Sequence, residues 1–537
     1  MFLKKSQRGQ RGSLLVLTTI MVPVFLVPLI GLGIDATVCY IVQAELSAAV
    51  DGSALGAGRL LSTNANTTDI ATEFLNANFR VGQGGFWGAY SLVPTISVST
   101  GTTKTVTVTA TASVPLIFMR ILGQKSAPVA ATATATRRDA RVELVIDRSG
   151  SMSDSDGEGS TVIQDLVTYA QGFTEQFTEG YDELGLVAFS GSAVVGYPTS
   201  PWPASLSATG SGGPDTSFYS GTSSDMVHQI GNIQAGGGTA MGDALATAYV
   251  ELQKAHMRDL LANGADTRTN AIVLFTDGVP SSVVTYLNRN SNSVISGSSN
   301  CSYPVDTATP TNPMYGYIVQ ASGNGNPPYT SAWGFYQMAS LDTNSGHTSA
   351  WYMANPSGDY VSPSPSTPEK NCKSTGWNPL NNLSKIPSFD KYGYSLSPNG
   401  SGYQLSAFVN NPNGLTSIYN GTAFSTSNAT SAYQWGLASW DEVDQVAQAI
   451  RTDANYANRS GDTSPMPITI YTVGYTGDGG TDYGLLEKIA NIQGCSVNGI
   501  SCYNDNQQSG IYIQASNKTA LANAFSVIAT AILRLSH

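Results

Sequence analysis

Two short runs of mostly β-branched and aliphatic residues, 142–146 and 271–275, are followed by Asp147 and by Thr276-Asp277. Their length and lack of internal turn residues predict buried strands. Between and beyond them the apolar period switches repeatedly. Helical spacing covers 162–177 and 244–253, and strand-like runs cover 184–189 and 193–196. Farther on, Trp440, Val443, Val446, Ala447 and Ile450 predict a helix, 468–473 a strand, and Leu521, Phe525, Ile528, Ile532 and Leu535 a closing amphipathic helix with Ser516 as its N-cap. Alternation of this kind predicts an α/β fold with a doubly wound parallel sheet flanked by helices, over residues 139–537.

The N-terminal part has a different rhythm. Residues 13–34 are uncharged and mostly apolar, long enough to span a bilayer. Residues 1–12 carry Lys4, Lys5, Arg8 and Arg11 and no acid. That predicts a cytoplasmic tail at 1–12, a single transmembrane helix at 13–34 and an exported remainder. A cleaved signal peptide is the rival reading. A helix follows at 36–61, where Val38, Ile41, Val42, Leu46 and Ala49 keep helical spacing. Residues 95–99 and 105–112 alternate around Gly101, and 132–136 reads as another strand, with a short helix at 116–122. Together these predict a small β-rich stalk module at 65–138, after a membrane-proximal helix at 35–64.

One segment fits neither rhythm. Residues 281–434 are rich in Ser, Asn, Gly, Pro and Tyr, and a structureless loop of that length is unusual in a compact domain. It is a variable surface excursion or an inserted subdomain. It leaves the sheet just after Asp277, and Trp333, Tyr336, Trp351, Tyr352, Trp377, Tyr392 and Tyr394 supply aromatic groups common at binding surfaces.

Chemistry enters at the strand ends. In open α/β sheets, ligands bind outside the carboxyl ends of the strands. Asp147, Ser149 and Ser151 alternate along one loop, Thr239 follows the glycine run 236–238, and Asp277 closes the second strand. Two carboxylates and three hydroxyls make a hard, all-oxygen donor set, suited to Mg²⁺, Mn²⁺ or Ca²⁺ and not to zinc or copper. This set resembles the metal-ion-dependent adhesion site of the von Willebrand factor A (vWA) domain. The resemblance implies a binding module, not an enzyme, in which a carboxylate on a protein partner completes the coordination of a divalent cation, Mg²⁺ foremost. A second acidic group, Asp154 and Asp156, resembles the adjacent metal site of integrin β-type A domains, and a solvated acidic loop is the plainer reading.

The segment 31–35, Tyr40 and the run 43–55 resemble the N-terminal region of TadG-like proteins of the Tad (Flp-type) pilus-assembly system. Here Glu45 stands where that family usually has Leu, and Gly52-Ser53 where it has Ala. This resemblance implies a bacterial inner-membrane protein with a periplasmic or extracellular bulk and Tad pilus components as partners. The small-residue helix is either plain scaffolding or a surface for close helix pairing.

Composition narrows the classes. The net charge of −11 gives no basic footprint for nucleic acid. The histidines His228, His256, His347 and His537 are scattered and form no metal-protease motif. Of the five cysteines, Cys39 lies at the membrane exit, unpaired or crosslinking between chains. The other four permit three pairings, and Cys495 with Cys502 is the local one, leaving Cys301 with Cys372 to tie the 281–434 segment.

Overall fold

The computed structural model describes residues 19, 21–22, 26–61, 66–82, 86–100, 104–198, 213–219, 221–289, 301–304, 313–321, 329–334, 353–354, 360–361, 388–396, 432–454, 462–475, 481–497 and 500–533. They divide into two compact units that change over between Arg138 and Asp139. The expected basic tail at 1–12 lies outside the described residues, as does most of 13–26.

The first unit is built on one long helix, α1 (Val27–Gly58), followed by α2 (Thr67–Asn78) and an antiparallel sheet of β1 (Tyr90–Thr100), β2 (Lys104–Pro115) and β3 (Ser126–Arg137) in the order β1-β2-β3. The strands alternate as expected, so Val106, Val108, Ala110, Ala112 and Val114 point to one face. That face packs against Val42, Leu46, Ala49, Val50, Ala54 and Ala57 of α1. Small residues on α1 thus let a helix lie close on a sheet of the same unit. They serve as scaffold, and pairing with another helix is not needed to explain them. Asn66 caps α2, its side-chain oxygen accepting from the backbone of Thr68 and Asp69 at 3.2 and 3.4 Å. The expected helix at 116–122 is a single 3₁₀ turn, Met119–Leu122.

α1 is the one helix among the described residues long and apolar enough to cross a membrane. Its two halves differ. Leu29, Ile30, Leu32 and Ile34 are exposed, whereas from Val38 onward every third or fourth residue is buried in the unit's core.

The second unit holds a six-stranded sheet. Its strands are β4 (Ala140–Asp147), β5 (Glu183–Phe189), β6 (Ala193–Tyr197), β7 (Thr269–Thr276), β12 (Ile468–Tyr475) and β13 (Tyr512–Ala515), in the order β13-β12-β7-β4-β5-β6. Five strands are parallel and β6 runs antiparallel on the edge. One face is covered by α3 (Val162–Thr174), α4 (Met226–Gly231) and α8 (Lys518–Ile532), which meet Val142, Leu144 and Ile146 of β4. The other is covered by α5 (Met241–Asn263), α6 (Ala432–Thr452) and α7 (Tyr483–Ile489), which meet Val145. Each fully buried aliphatic side chain contributes roughly 1.5–3 kcal/mol to such a core. The doubly wound α/β expectation holds, with the antiparallel edge as a refinement. The N-cap of α8 is Asn517, whose side chain accepts from Ala520 N at 2.8 Å, and not Ser516.

The segment 281–434 is partly woven into this unit. β8 (Ser282–Arg289) joins β9 (Cys301–Pro304), β10 (Pro313–Ala321) and β11 (Tyr329–Gly334) in a separate sheet of order β11-β10-β8-β9, which the composition did not disclose. Residues 388–396 return to the main body, where the Lys391 ammonium lies 2.7 Å from Asp243 of α5, both fully buried. Tyr392 and Tyr394 pack against the helical face of the core, so they do not form the expected open aromatic surface. Trp351, Trp377, Tyr336 and Tyr352 lie outside the described residues, as does Cys372 of the expected Cys301–Cys372 pair. Cys495 and Cys502 form a disulfide, and Cys39 is free and half-buried.

Candidate metal centre

Parallel pairing brings the two acidic strand ends together. β4 and β7 are neighbours with Ile146 opposite Phe275, so Asp147 leaves the sheet beside Thr276 and Asp277. The Thr276 hydroxyl donates to Asp147 Oδ2 at 2.5 Å, and the Ser149 backbone N–H donates to Asp147 Oδ1 at 2.7 Å. Ser149 and Ser151 share a hydroxyl–hydroxyl bond at 3.1 Å, and Ser151 donates to Asp277 Oδ1 at 2.8 Å. The first loop is therefore bonded across to the second strand end through its own candidate donors.

The Thr239 loop closes the third side. Gly150 N–H donates to Gly237 O at 3.0 Å and Gly236 N–H to Arg148 O at 2.7 Å. Gly237 has φ +98°, and a Cβ there would crowd Ser190, so the close approach of the two loops needs glycine. The hydroxyls of Ser151 and Thr239 lie 3.6 and 3.7 Å from the point where a Cβ on Gly278 would sit, which puts both beside the turn after Asp277. Ser281 fixes Thr239 from the far side, its hydroxyl accepting from Thr239 N at 3.1 Å and its own N–H donating to Thr239 O at 2.9 Å. All five expected residues thus converge on one spot at the carboxyl end of the sheet.

The electrostatics match a cation seat. Asp147, Asp277 and Ser149 are almost wholly buried. Burial pushes the Asp147 carboxyl above the usual carboxylate range, although hydrogen bonds from Thr276 and Ser149 and the charge of Arg148 oppose the rise. Burial also raises Asp277, and the neighbouring charges of Asp147 and Asp154 push it the same way. Two carboxylates that resist being ionised together, ringed by hydroxyls, fit a divalent cation that would neutralise both. Among the described residues no cluster of three or more His, Cys, Asp or Glu is arranged to hold a metal, so the hydroxyls are essential to this fit.

The second acidic group divides. Asp156 is engaged elsewhere: it accepts from Glu158 N, Ser160 N and the Ser160 hydroxyl at 2.9, 2.9 and 3.0 Å and pairs with Lys518 at 2.9 Å. Those partners hold its carboxyl well below the usual range despite some desolvation. Asp154 is exposed and close enough to add its charge to Asp277.

Sequence reasoning passed over Thr276, Ser281 and Thr481. Thr481 donates to Asp277 O at 3.3 Å and to Tyr475 O at 2.9 Å. Thr276 was within reach of the sequence, because a residue beside a strand-terminal Asp on a paired strand is placed by register alone.

Residues 142–279 match the von Willebrand factor type A domain. No curated protein matches the chain. Similar solved structures include a point mutant of the PilB minor pilin from Streptococcus sanguinis, 14% identical over 82% of this chain and 78% of that one, with a TM-score of 0.31. Another is the pilus adhesin SpaC from Lactobacillus rhamnosus GG in an open conformation, 11% identical, covering 82% of this chain but only 33% of that one, with a TM-score of 0.30. A third is the vWF domain of the type V pili tip protein Mfa5 from Porphyromonas gingivalis, 14% identical over 74% of this chain and 95% of that one, with a TM-score of 0.27. The matched span runs from β4 through the turn after Asp277 and so encloses all five converging oxygen donors: residues 142–279 are a von Willebrand factor type A domain.

Proposed function

We propose that this chain is a membrane-anchored, extracytoplasmic protein-binding module that acts through a divalent cation, Mg²⁺ first and Mn²⁺ or Ca²⁺ as substitutes. Asp147, Ser149, Ser151, Thr239 and Asp277 would hold the cation directly or through water. The bound cation would supply an electrophilic point for a carboxylate on the partner protein. The observation that carries the reading is the burial of Asp147 and Asp277 side by side among hydroxyl donors, each raised by burial and Asp277 further by the charge of Asp147.

The protein is not an enzyme in this reading, since the site gathers oxygen ligands without a nucleophile–base pair. A Tad-type pilus-assembly role rests on the resemblance carried by 31–35, Tyr40 and 43–55, and the exposed apolar start of α1 supports retention in the inner membrane with the bulk outside the cytoplasm. A surface adhesin without a pilus role would use the same site, and a structural envelope protein would have a degenerate one.

Calorimetric titration of the full chain in detergent with Mg²⁺, Mn²⁺ and Ca²⁺ tests the centre. Saturable binding is expected in the wild type and its loss in Asp147→Ala and Asp277→Ala, each checked for folding by circular dichroism. A folded wild type that binds none of the three ions would favour the envelope role.

A further inference from the structure

The β2–β3 connection in the first unit is unlike an ordinary surface turn. It reads Leu116-Ile117-Phe118-Met119-Arg120-Ile121-Leu122, and Ile117, Ile121 and Leu122 are 59%, 82% and 62% exposed. Leaving that much aliphatic surface in water forgoes the stabilisation its burial would give, and contiguous exposure of this kind marks an interaction site. The loop is nevertheless held in one place. Asp35 of α1 is buried and accepts hydrogen bonds from the backbone N–H groups of Ile117, Phe118 and Met119 at 2.9, 3.0 and 2.8 Å. A Cβ at Gly31 would collide with the Phe118 side chain, so the helix and loop touch because position 31 is glycine. The base of the loop is closed by Leu116 N–H to Lys125 O at 3.0 Å.

The position of this pin matters. Asp35 stands at the boundary between the exposed apolar start of α1 and the part buried on the sheet. The loop therefore projects its aliphatic groups beside the helix where the helix ceases to be covered by protein. Aromatic and basic groups gather at the same end of the sheet. Tyr90 pairs with Ser113 near the end of β2, and Gly88 packs on Pro115, which brings Trp87 there; both aromatics are exposed. Arg120 and Lys125 of the connection are exposed too. Aliphatic tips flanked by Trp, Tyr, Arg and Lys make up the composition of a protein surface at a bilayer interface.

We infer that the 116–122 loop inserts into the interfacial layer of the bilayer that α1 enters, and that Asp35 fixes its depth relative to the helix. The occupant is phospholipid: acyl chains against Ile117, Ile121 and Leu122, headgroup phosphates against Arg120 and Lys125. This would seat the sheet end-on on the membrane, with β3 carrying the chain away toward Arg137. The inference rests on the membrane-anchored reading of α1 and goes beyond it by assigning a second membrane contact.

The test is photocrosslinking of the full chain in phosphatidylcholine–phosphatidylglycerol vesicles, with p-benzoylphenylalanine replacing Leu29, Ile121 or Ser99 in turn. Ser99 is an exposed residue near the opposite end of the sheet. Lipid adducts at 29 and 121 but only background at 99 are expected. Adducts at 29 without adducts at 121 would overturn the loop insertion and leave the anchor standing. No adducts at 29 would remove the anchor and this inference with it, and crosslinks from 121 to protein in place of lipid would overturn the lipid occupant. Asp35→Asn is expected to lower the yield at 121 while sparing that at 29; an unchanged yield at 121 would overturn the depth-fixing role of Asp35.

Discussion

β4 carries a charged side chain near each end, and the two ends are treated in opposite ways. Arg141, at the amino end, is fully buried and surrounded: Glu183 at 2.6 Å, Asp259 at 2.7 Å and Asp266 at 2.5 Å. Arg258 and Arg268 extend the network to the same acids, and His256 reaches Asp266 at 2.7 Å. Here burial raises Asp266, but the charge of Arg141 and the hydrogen bonds from His256, the Arg268 backbone and Arg141 together outweigh it, and the carboxyl is held well below its usual range. At the carboxyl end, Asp147 faces another acid, and among the described residues neither Asp147 nor Asp277 is in an ion pair. One end is neutralised by cations within the fold, whereas the other holds two buried carboxyls, of which Asp147 raises Asp277 and is itself eased by the charge of Arg148. Under the proposed function, the difference separates a group that holds the fold together from a group that binds.

The sharpest break of that comparison is Arg141→Met. It leaves Glu183, Asp259 and Asp266 without their central cation, and removing one partner of a buried ionic cluster costs about 3–5 kcal/mol. Chemical denaturation should show that loss equally with and without Mg²⁺. Asp277→Asn should do the reverse. It removes a buried, repelled charge, so at pH 8 without metal the folded state should gain about 1 kcal/mol, while calorimetric Mg²⁺ binding disappears. If Asp277→Asn destabilised the metal-free protein as much as Arg141→Met, the contrast between the two ends would be lost.

Acidity sharpens the comparison with a smaller effect. Asp147 and Asp277 have folded pKa values above their unfolded ones, so the folded chain holds their protons more tightly. Their contribution to stability is fully present below the ordinary carboxylate range, about pH 4, and is lost as pH rises through the raised folded values. Metal binding needs the deprotonated pair, so affinity for Mg²⁺ should climb over the same window. Glu143, Asp390 and Glu442, buried elsewhere in the unit, shift in the same direction. The readout is therefore the difference in melting temperature between wild type and the Asp147→Asn/Asp277→Asn double variant, followed from pH 5 to 8 with and without Mg²⁺. A difference that does not change with pH in the absence of metal would contradict the assignment.

What was legible in the sequence follows from the range of each interaction. The strands at 142–146 and 271–275 announce themselves by local composition, and their terminal acids mark the candidate metal site once the strands are taken as parallel neighbours. α8 was legible from its period, but its cap moved by one residue because Ser516 and Asn517 are both polar and only backbone geometry chooses between them. The return of Lys391 to Asp243 joins residues nearly 150 positions apart and has no periodic signature. The same holds for Asp35, which reads as an acid ending an apolar stretch until the N–H groups of 117–119 arrive from the sheet. Edge polarity was within reach of the sequence: the strand pattern of 193–196 alone carries no direction, but β6 follows β5 after three residues, a connection too short for a parallel crossover.

The smallest effect concerns Asp156, the residue whose neighbours separate the candidate metal centre from the acidic loop beside it. Lys518, the first residue of α8, reaches Asp156 at 2.9 Å and Asp165 of α3 at 3.6 Å. Because the ammonium is partly exposed, salt screens the pair, and Lys518→Ala should lower the melting temperature far less than Arg141→Met does. The informative readout is metal affinity. If Asp156 serves only the loop and the helix start, Lys518→Ala leaves Mg²⁺ and Ca²⁺ binding within about twofold of wild type. If instead Asp154 and Asp156 form a second cation seat, freeing Asp156 from Lys518 should create or strengthen a Ca²⁺ site that survives Asp277→Ala and vanishes in Asp154→Ala. Calorimetry on those variants decides between an acidic loop that is neutralised from within the fold, as the Arg141 cluster is, and one that takes a cation, as we propose for Asp147 and Asp277.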